Sequence, residues 1–493
     1  MAKYLKEFKT HAEYEAYKAD KSNFIRPNVS FCNNVPNEVH FSPWVETRVV
    51  AKFNVTSTNS PTKILNDTSN VSDIIVDRHK QDSVTTGFTF DTTGEHVVKY
   101  TLSNPTLINN CFYNCPTLTS VYLPDSITTI GYDSFGRCGA LTAITIPDSV
   151  TTIGDYVFEY CSSLTSVTIP NSVTSIGQYA FRSSGIVNIT IPDSVTSIGR
   201  YMFHQTSALT TCTIGSGVTS ISYYSFRGCN NLTTFIIGSN VKTIESMAFQ
   251  NCYSLSSITI PDSVTSIGEY AFSNCSSLTS CTIGSGVKTI DRYAFNYCTH
   301  LENIVIPNSV TSISYYAFGN CSGLTSCTIG NSVETIDYAA FINCGSLTSI
   351  YIPDSIKSIG NGAFNSCSGA TTCTIGDGVT TIGEGAFYGC SGFTSCTVGS
   401  SVTSIGNNAF KNCSGITSLE LPDTVASIGR DAFNGCRKLT KFIINATTPP
   451  TMPDAFVFAN TNTCPIFVPC DSMDAYKAAS GWSTYASRIQ AIP

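Results

Sequence analysis

Apolar residues recur along most of this chain with a period of 23 residues, and a phenylalanine marks each copy. These phenylalanines run from Phe112 to Phe456, with one residue deleted before Phe203. A fixed period of this length predicts a solenoid, because each copy can bury its apolar face only against its neighbours. We therefore expect an elongated stack of coils.

Within one copy, the apolar positions are Val264, Ile267, Ala271, Phe272, Leu278, Cys281 and Ile283. The segment Leu278-x-x-Cys281-x-Ile283 alternates inward and outward, so each coil is predicted to add one strand to a parallel sheet. Pro261 ends the preceding strand because proline cannot donate to a ladder. Roughly 14 coils spaced about 4.8 Å apart predict a rod about 70 Å long.

Both ends of the chain depart from this repeat. Residues 1–45 are interpreted as a leader or attachment segment. Residues 46–104 alternate apolar and polar positions in VVAKFNV, SDIIVD, GFTF and HVVKYTL, which predicts a small, Ig-like β-sandwich. The leucine-rich-repeat array then covers residues 105–445.

Residues 446–493 are expected to form a C-terminal cap with one strand and a helix from Ser472. Solenoids need such caps because the last coil otherwise exposes its core. The side chains expected to cover that core are Met473, Tyr476, Trp482, Tyr485 and Ile489.

Charge and hydropathy exclude several classes of function. Charged residues make up 12% of the chain, the formal net charge is -7, and the 27 Lys and Arg residues are dispersed. No nucleic-acid partner is therefore expected. The N-terminus has no apolar signal region and no stretch of about 20 apolar residues occurs, so neither Sec export nor membrane insertion is predicted.

Thirteen of the 22 cysteines occur three residues after the phenylalanine, and five more replace the Leu or Val of the strand. Both columns are predicted to point inward, where cysteine behaves as a small hydrophobic residue. Ser184 and Thr206 interrupt the first column, which argues against obligatory disulfides. Stacked reduced thiols are favoured over disulfides, and over a metal site because no histidine accompanies them at zinc-ligand spacing.

The chain carries no recognisable catalytic motif. Its six histidines are scattered, and neither a phosphate loop nor a G-x-S-x-G elbow is present. Recurrent aspartates such as Asp262 share a position where other copies have Asn or Ser, which indicates turn residues. We expect no enzyme, no catalytic or metal-binding residues and no cofactor.

Two outward columns are candidate binding surfaces. The outward strand positions are rich in Ser and Thr, as a soluble β face would be, and larger side chains interrupt them at Tyr122, Ile236, Val305 and Tyr351. The second column lies two residues before the phenylalanine and contains Tyr156, Tyr179, Tyr201, Tyr224, Tyr270, Tyr293 and Tyr316. Such rings either bind sugars or protein loops as rigid amphipathic surfaces, or pack on one another and seal the solenoid edge.

The repeat consensus I-P-x-S-V-x-x-I-G-x-x-A-F-x-x-C-x-x-L-x-x-v-x-I resembles the BspA-like, Treponema-type leucine-rich repeats from about Thr106 to Asn445. This resemblance implies non-enzymatic binding or adhesion at microbial surfaces, in gut Bacteroidetes or the phages that infect them. The N-terminal segment contains Phe8, Thr10-His11, Glu13-Tyr14 and the short extended pieces PNVSFC and EVHFSP. In these features residues 1–45 resemble the leaders of proteins from Bacteroides-infecting phages.

The favoured interpretation is a phage virion-surface protein, made in the host cytoplasm, that binds a host surface glycan or protein. Its N-terminal region would contact other virion proteins. A purely structural virion component and a bacterial cell-surface adhesin remain alternatives, and association into homo-oligomers stays open.

Overall fold

The computed structural model describes residues 48–453 and 456–493. From Leu107 onward the chain winds into a solenoid of 23-residue coils, as the period predicts. The predicted leader at residues 1–45 lies outside the described residues, and the division of the chain into domains stays a prediction. Among the described residues, no helix is both long and apolar enough to span a bilayer.

The described residues begin with an antiparallel sheet that continues into the solenoid. The four alternating segments predicted to be strands contain β1 Val49–Val55, β3 Val71–Val76, β5 Gly87–Phe88 and β6 Gly94–Leu102, and two further short strands that were not predicted are β2 Thr62–Lys63 and β4 His79–Lys80. Strand β2 pairs with β5 alone, and β1 pairs with both β6 and the first long strand of the solenoid, at Leu118–Tyr122. Residues before and after position 104 therefore share one sheet.

Among the described residues, every coil but one contributes a strand to one side of the solenoid, which we call the long face; the coil that contains Val167 and Ile169 has no strand there. Inward residues of these strands are buried and outward ones exposed, because side chains alternate along a strand. The strands are β8 Leu118–Tyr122, β10 Ala143–Thr145, β13 Asn188–Ile191, β15 Thr211–Ile214, β17 Thr234–Ile236, β19 Ser257–Ile260, β21 Ser280–Ile283, β23 Asn303–Ile306, β25 Ser326–Ile329, β27 Ser349–Ile352, β29 Thr372–Ile375, β31 Ser395–Thr397, β33 Ser418–Leu421, β35 Lys441–Ile444, β36 Ile466–Val468 and β37 Ile489–Ala491.

A second parallel ladder lies on the opposite part of each coil, and we call it the short face. It consists of Ser-Ile, Thr-Ile or Leu-Ile pairs whose isoleucine is buried. The pairs are β7 Leu107–Ile108, β9 Thr129–Ile130, β11 Thr152–Ile153, β12 Ser175–Ile176, β14 Ser197–Ile198, β16 Ser220–Ile221, β18 Thr243–Ile244, β20 Ser266–Ile267, β22 Thr289–Ile290, β24 Ser312–Ile313, β26 Thr335–Ile336, β28 Ser358–Ile359, β30 Thr381–Ile382, β32 Ser404–Ile405 and β34 Ser427–Ile428. The sequence predicted the inward isoleucine but not this ladder.

A column of stacked phenylalanine rings forms the centre of the core. Neighbouring rings such as Phe272 and Phe295 lie 5.1 Å apart and nearly parallel. The column ends at Phe458, which stacks 5.5 Å from Phe433. The prediction of Phe456 as the last repeat ring is therefore wrong: the last coil is two residues longer, and Phe456 is 51% exposed.

The inward cysteines have a role that the sequence did not reveal. Thiols in the column after the phenylalanine donate hydrogen bonds to the phenylalanine carbonyl of the preceding coil, as Cys298 Sγ does to Phe272 O at 3.3 Å. Thr206 replaces a thiol and keeps the bond, from its Oγ1 to Phe181 O at 2.7 Å. The cysteines of the described residues are unbridged, and burial raises the pKa of the Cys298 thiol well above its usual value.

The C-terminal cap follows the prediction. Helix α1, Met473–Ala478, and a 3-10 helix, Trp482–Arg488, cover the last coil, and a shorter 3-10 turn, Cys470–Ser472, precedes them. Tyr476 and Trp482 are fully buried, and Tyr485 contacts Phe458 edge to face at 5.3 Å. Tyr476 Oη donates to Ala446 O at 2.7 Å, so its polar end is satisfied.

Candidate functional site

The turn that carries the phenylalanine joins the short face to the long face, and we call this edge of the solenoid the flank. Its backbone forms a third set of bonds between coils. Tyr270 N donates to Arg292 O at 3.0 Å, and Phe272 N donates to Ala294 O at 2.7 Å. The flank is therefore held as firmly as the two faces, and side chains on it have fixed positions.

The residue two positions before each phenylalanine has a left-handed backbone conformation. Tyr270 has φ 55°, and Gly385 and Asn408 each have φ 56° at the equivalent position. This conformation costs a residue with a Cβ about 1–2 kcal/mol, whereas glycine adopts it freely and Asn or Asp more readily than most. The Gly, Asn and Asp residues that occupy this position in later coils are the sequence feature that indicates the left-handed conformation.

The predicted tyrosines all lie on the flank, where they stack on one another in two groups. Tyr156, Tyr179, Tyr201 and Tyr224 form one stack, with ring centroids 4.7–4.8 Å apart. A second stack contains Tyr270, Tyr293 and Tyr316, with centroids 4.5 and 5.2 Å apart. Met247 separates the two stacks. We call the seven rings together the tyrosine column.

Every ring of the tyrosine column is half-buried, so one side packs and the other meets solvent. Burial, helped by the neighbouring Tyr179 phenol, raises the pKa of Tyr156, and burial likewise raises the pKa of Tyr179. The Tyr156 and Tyr179 hydroxyls therefore stay protonated at neutral pH and can donate hydrogen bonds. The two alternatives for the column are compatible in this geometry, since the rings pack together and remain accessible.

Arginines accompany the first tyrosine stack. The Arg182 guanidinium lies 5.5 Å from the Tyr179 ring and pairs with Glu159 at 3.0 Å. Arg227 lies 5.0 Å from the Tyr224 ring. These cations stand over aromatic faces, where the ring quadrupole attracts them. Sequence reasoning missed them because they belong to a separate column, one residue after the phenylalanine.

His204 lies in the same column and is buried between the arginines. Its Nε2 is 3.3 Å from Arg227 Nη1, and its Nδ1 has no partner among the described residues. Burial, together with the positive charges of Arg182 and Arg227, lowers the pKa of His204 to about 4. At neutral pH this histidine is uncharged, and the cluster holds two arginines against one glutamate.

The strand-face candidates do not form a patch. Ile236, Val305 and Tyr351 are 55%, 60% and 57% exposed on the long face, but threonines occupy the positions between them. Tyr122 is half-buried on β8, opposite Val50 of β1. Because these side chains are separated by two or more coils, each is an isolated apolar site on a hydroxyl-rich sheet.

The flank is therefore suited to binding. Stacked phenols supply rigid area and hydroxyl donors, which suit the apolar and polar sides of a sugar or a protein loop. Across residues 48–453 and 456–493, no three His, Cys, Asp or Glu side chains lie together in a way that could hold a metal ion.

Comparisons with known proteins agree with the repeat architecture. The sequence model of the BspA type leucine rich repeat region matches residues 106–233, 219–347 and 334–463, which together exceed half of the chain. No curated protein sequence matches the chain.

Solved structures similar to this chain include a leucine-rich repeat protein from Bacteroides ovatus, at 26% identity over 84% of this chain and 100% of that chain, with a TM-score of 0.48. A leucine rich cell surface protein from Faecalibacterium prausnitzii is 28% identical over 63% of this chain and 86% of that chain, with a TM-score of 0.39.

Proposed function

Because this chain belongs to the family of BspA-type leucine-rich repeat proteins, we propose that it is a non-enzymatic recognition protein. Its tyrosine column binds a glycan or a protein on a cell surface. Repeat proteins of this kind present extended surfaces to their partners, so the function depends on what the coils display.

One observation carries the proposal: seven coils place a tyrosine at a left-handed position that glycine or asparagine fills in other coils. Tyrosine costs about 1–2 kcal/mol there. Stacking returns about 0.5–1.5 kcal/mol per pair, so folding alone gives tyrosine little advantage over asparagine. Retaining the rings is explained if their outer faces bind a partner.

The proposed setting is the surface of a phage particle, on which the protein contacts a bacterial host. The resemblance of residues 1–45 to phage protein leaders supports this setting. The bacterial cell surface is the alternative setting, and it places the same flank in contact with a neighbouring cell or its glycans. Fractionation of the source into virions and cell envelopes, with detection of the protein by antibody, distinguishes them.

The binding role is tested by comparing the wild-type protein with a Tyr270→Asn/Tyr293→Asn double variant. Fluorescently labelled full-length protein is added to intact Bacteroides cells, and bound fluorescence is measured. Asparagine suits φ 55° and 56°, and Asn408 already occupies this position, so the variant should melt within a few degrees of wild type.

We expect binding to fall about tenfold or more in the double variant, because two stacking surfaces are lost. A Ser280→Asn variant on the exposed long face is the matched control and should bind as wild type. Unchanged binding by the double variant removes the tyrosine column from the function. Absence of wild-type binding to any cell tested removes the recognition role itself.

A further inference from the structure

The flank changes shape between Tyr338 and Tyr388. In these coils the position of the tyrosine column holds Ala339, Gly362 and Gly385, and the missing rings leave a groove of about 470 Å³. Tyr338 is 46% exposed at one end, and Tyr388 is half-buried at the other. They belong to coils two repeats apart, which places them about 10 Å apart along the solenoid. We call this the glycine groove.

Packing does not require glycine on the floor of the groove. A Cβ added to Gly362 would lie 3.9 Å from Asn365 Cβ, and one added to Gly385 would lie 3.7 Å from Tyr388 Cβ, both ordinary contacts. Their φ values of 62° and 56° are close to those at which tyrosines stand elsewhere in the column. The coils would accommodate side chains here, so the groove results from the residues displayed on the surface and not from a requirement of packing.

Polar groups without protein partners surround the floor. Among the described residues, the Glu384 carboxylate accepts no hydrogen bond. The side-chain amide of Asn408 neither accepts nor donates one. Asn361 Oδ1 accepts from Glu384 N at 2.8 Å, which fixes this amide and leaves its Nδ2 available. Of the described residues, no lysine or arginine lines the groove. It therefore offers donors, acceptors and one negative charge between two aromatic rings.

We propose that the glycine groove binds a neutral saccharide. Sugar hydroxyls pair with both amides and carboxylates, since each hydroxyl donates and accepts. The C–H face of a sugar ring packs on an aromatic ring as an apolar surface. The lone carboxylate disfavours acidic glycans, and a volume of about 470 Å³ falls within the range of small-molecule sites. This inference rests on the proposed recognition function and gives its ligand class and location.

The test uses the full-length protein and an array of neutral oligosaccharides, comprising glucans, mannans, xylans and N-acetylhexosamine oligomers, beside sialylated and sulfated ones. The strongest neutral binder is then titrated by calorimetry against wild type and Gly385→Tyr. Tyrosine at this position matches the other coils at the same φ and fills the groove. Ser280→Tyr introduces the same residue on the exposed long face, outside both the groove and the tyrosine column, and is the control.

We expect a neutral oligosaccharide to bind wild type and Ser280→Tyr equally and Gly385→Tyr not at all. Should Gly385→Tyr melt far below wild type, Glu384→Gln replaces it, with about tenfold weaker binding expected from loss of a charged acceptor. Binding only to acidic glycans, binding to none of the array, or full binding by a folded Gly385→Tyr each overturns the inference.

The outcomes also separate this inference from the proposed function. Cell binding that is lost in the Tyr270→Asn/Tyr293→Asn variant, together with full oligosaccharide binding by Gly385→Tyr, leaves the recognition role standing and removes the saccharide site in the groove. If Gly385→Tyr abolishes oligosaccharide binding while cell binding is unaffected by either change, the saccharide site in the groove stands. The tyrosine column is then removed from the recognition role.

Discussion

Two stretches of one flank carry different side chains on the same scaffold. Coils from Phe158 to Phe318 display the tyrosine column, whereas coils from Phe341 to Phe410 display Ala, Gly and Asn at the same position. Both have the same phenylalanine stack and the same left-handed φ, and both have thiol bonds between coils, although Ser184 and Thr206 replace two of the thiols in the first stretch. The comparison indicates that the displayed residue is independent of the core, so that the surface can change while the fold persists.

The largest expected effect tests whether the cores are in fact equivalent. Phe295→Ala in the first stretch and Phe364→Ala in the second each remove a ring that stacks on two neighbours. Each variant should lower the free energy of unfolding by about 3–5 kcal/mol, measured by chemical denaturation followed by circular dichroism. A difference between the variants as large as the effect itself would mean that the two stretches have different cores, and the comparison would not hold.

The next largest effect is a loss of stability at low pH, and it is expected in the tyrosine-bearing stretch alone because the other stretch has no histidine. The pKa of His204 falls from 6.5 unfolded to about 4 folded, so the folded state resists protonation. Stability from this group is present above pH 6.5 and is lost as the pH falls towards 4, by up to about 3 kcal/mol. His204→Gln should remove this loss, as seen in denaturation curves at pH 4 and pH 7.

Asp133 acts in the opposite direction within the same pH range. Burial, helped by the charge of Glu159, raises the pKa of Asp133 to about 6 from 3.8, so its contribution falls as the pH rises through 6. The informative quantity is therefore the difference between wild type and His204→Gln at each pH. His300→Gln, at an exposed histidine, is the control, and a His204→Gln curve parallel to wild type would contradict the prediction.

The smallest effect tests the thiol bonds in both stretches. Cys298→Val and Cys390→Val keep the apolar volume but remove the donors to Phe272 O and Phe364 O. Each should cost about 1 kcal/mol, the net contribution of one hydrogen bond. Cys→Thr at the same sites should cost less, as Thr206 suggests. Equal melting of the Val and Thr variants would show that cysteine acts here only as an apolar residue.

The sequence predicted the repeat and its inward residues because burial depends on hydrophobic periodicity. Leu278, Cys281 and Ile283 are buried as expected. The end of the phenylalanine stack was misplaced because counting by 23 ignores two extra residues, and only packing reveals that Phe458 fills the position. The short face was missed because a ladder of two-residue strands has no pattern of its own beyond one inward isoleucine per coil.

The candidate site could be predicted only in part. The tyrosine spacing was visible, but its left-handed backbone required the Gly, Asn and Asp of other coils to be interpreted as conformational signals. The arginines and His204 were missed because their meeting depends on contacts between neighbouring coils. In the sequence, the glycine groove is visible only as glycine at Gly362 and Gly385 in place of tyrosine, and its polar rim at Asn361 and Glu384 emerges when the coils are stacked.

The hydrogen bonds of the faces and the flank run from coil to coil, parallel to the long axis. A tensile load along this axis meets them one coil at a time, and each rupture frees roughly 70–80 Å of chain from a coil that contributed about 5 Å. Pulled from both ends, the rod would lengthen in many successive steps at modest force. A tether with this response dissipates mechanical work, so an attachment under flow would yield by extension before it detached.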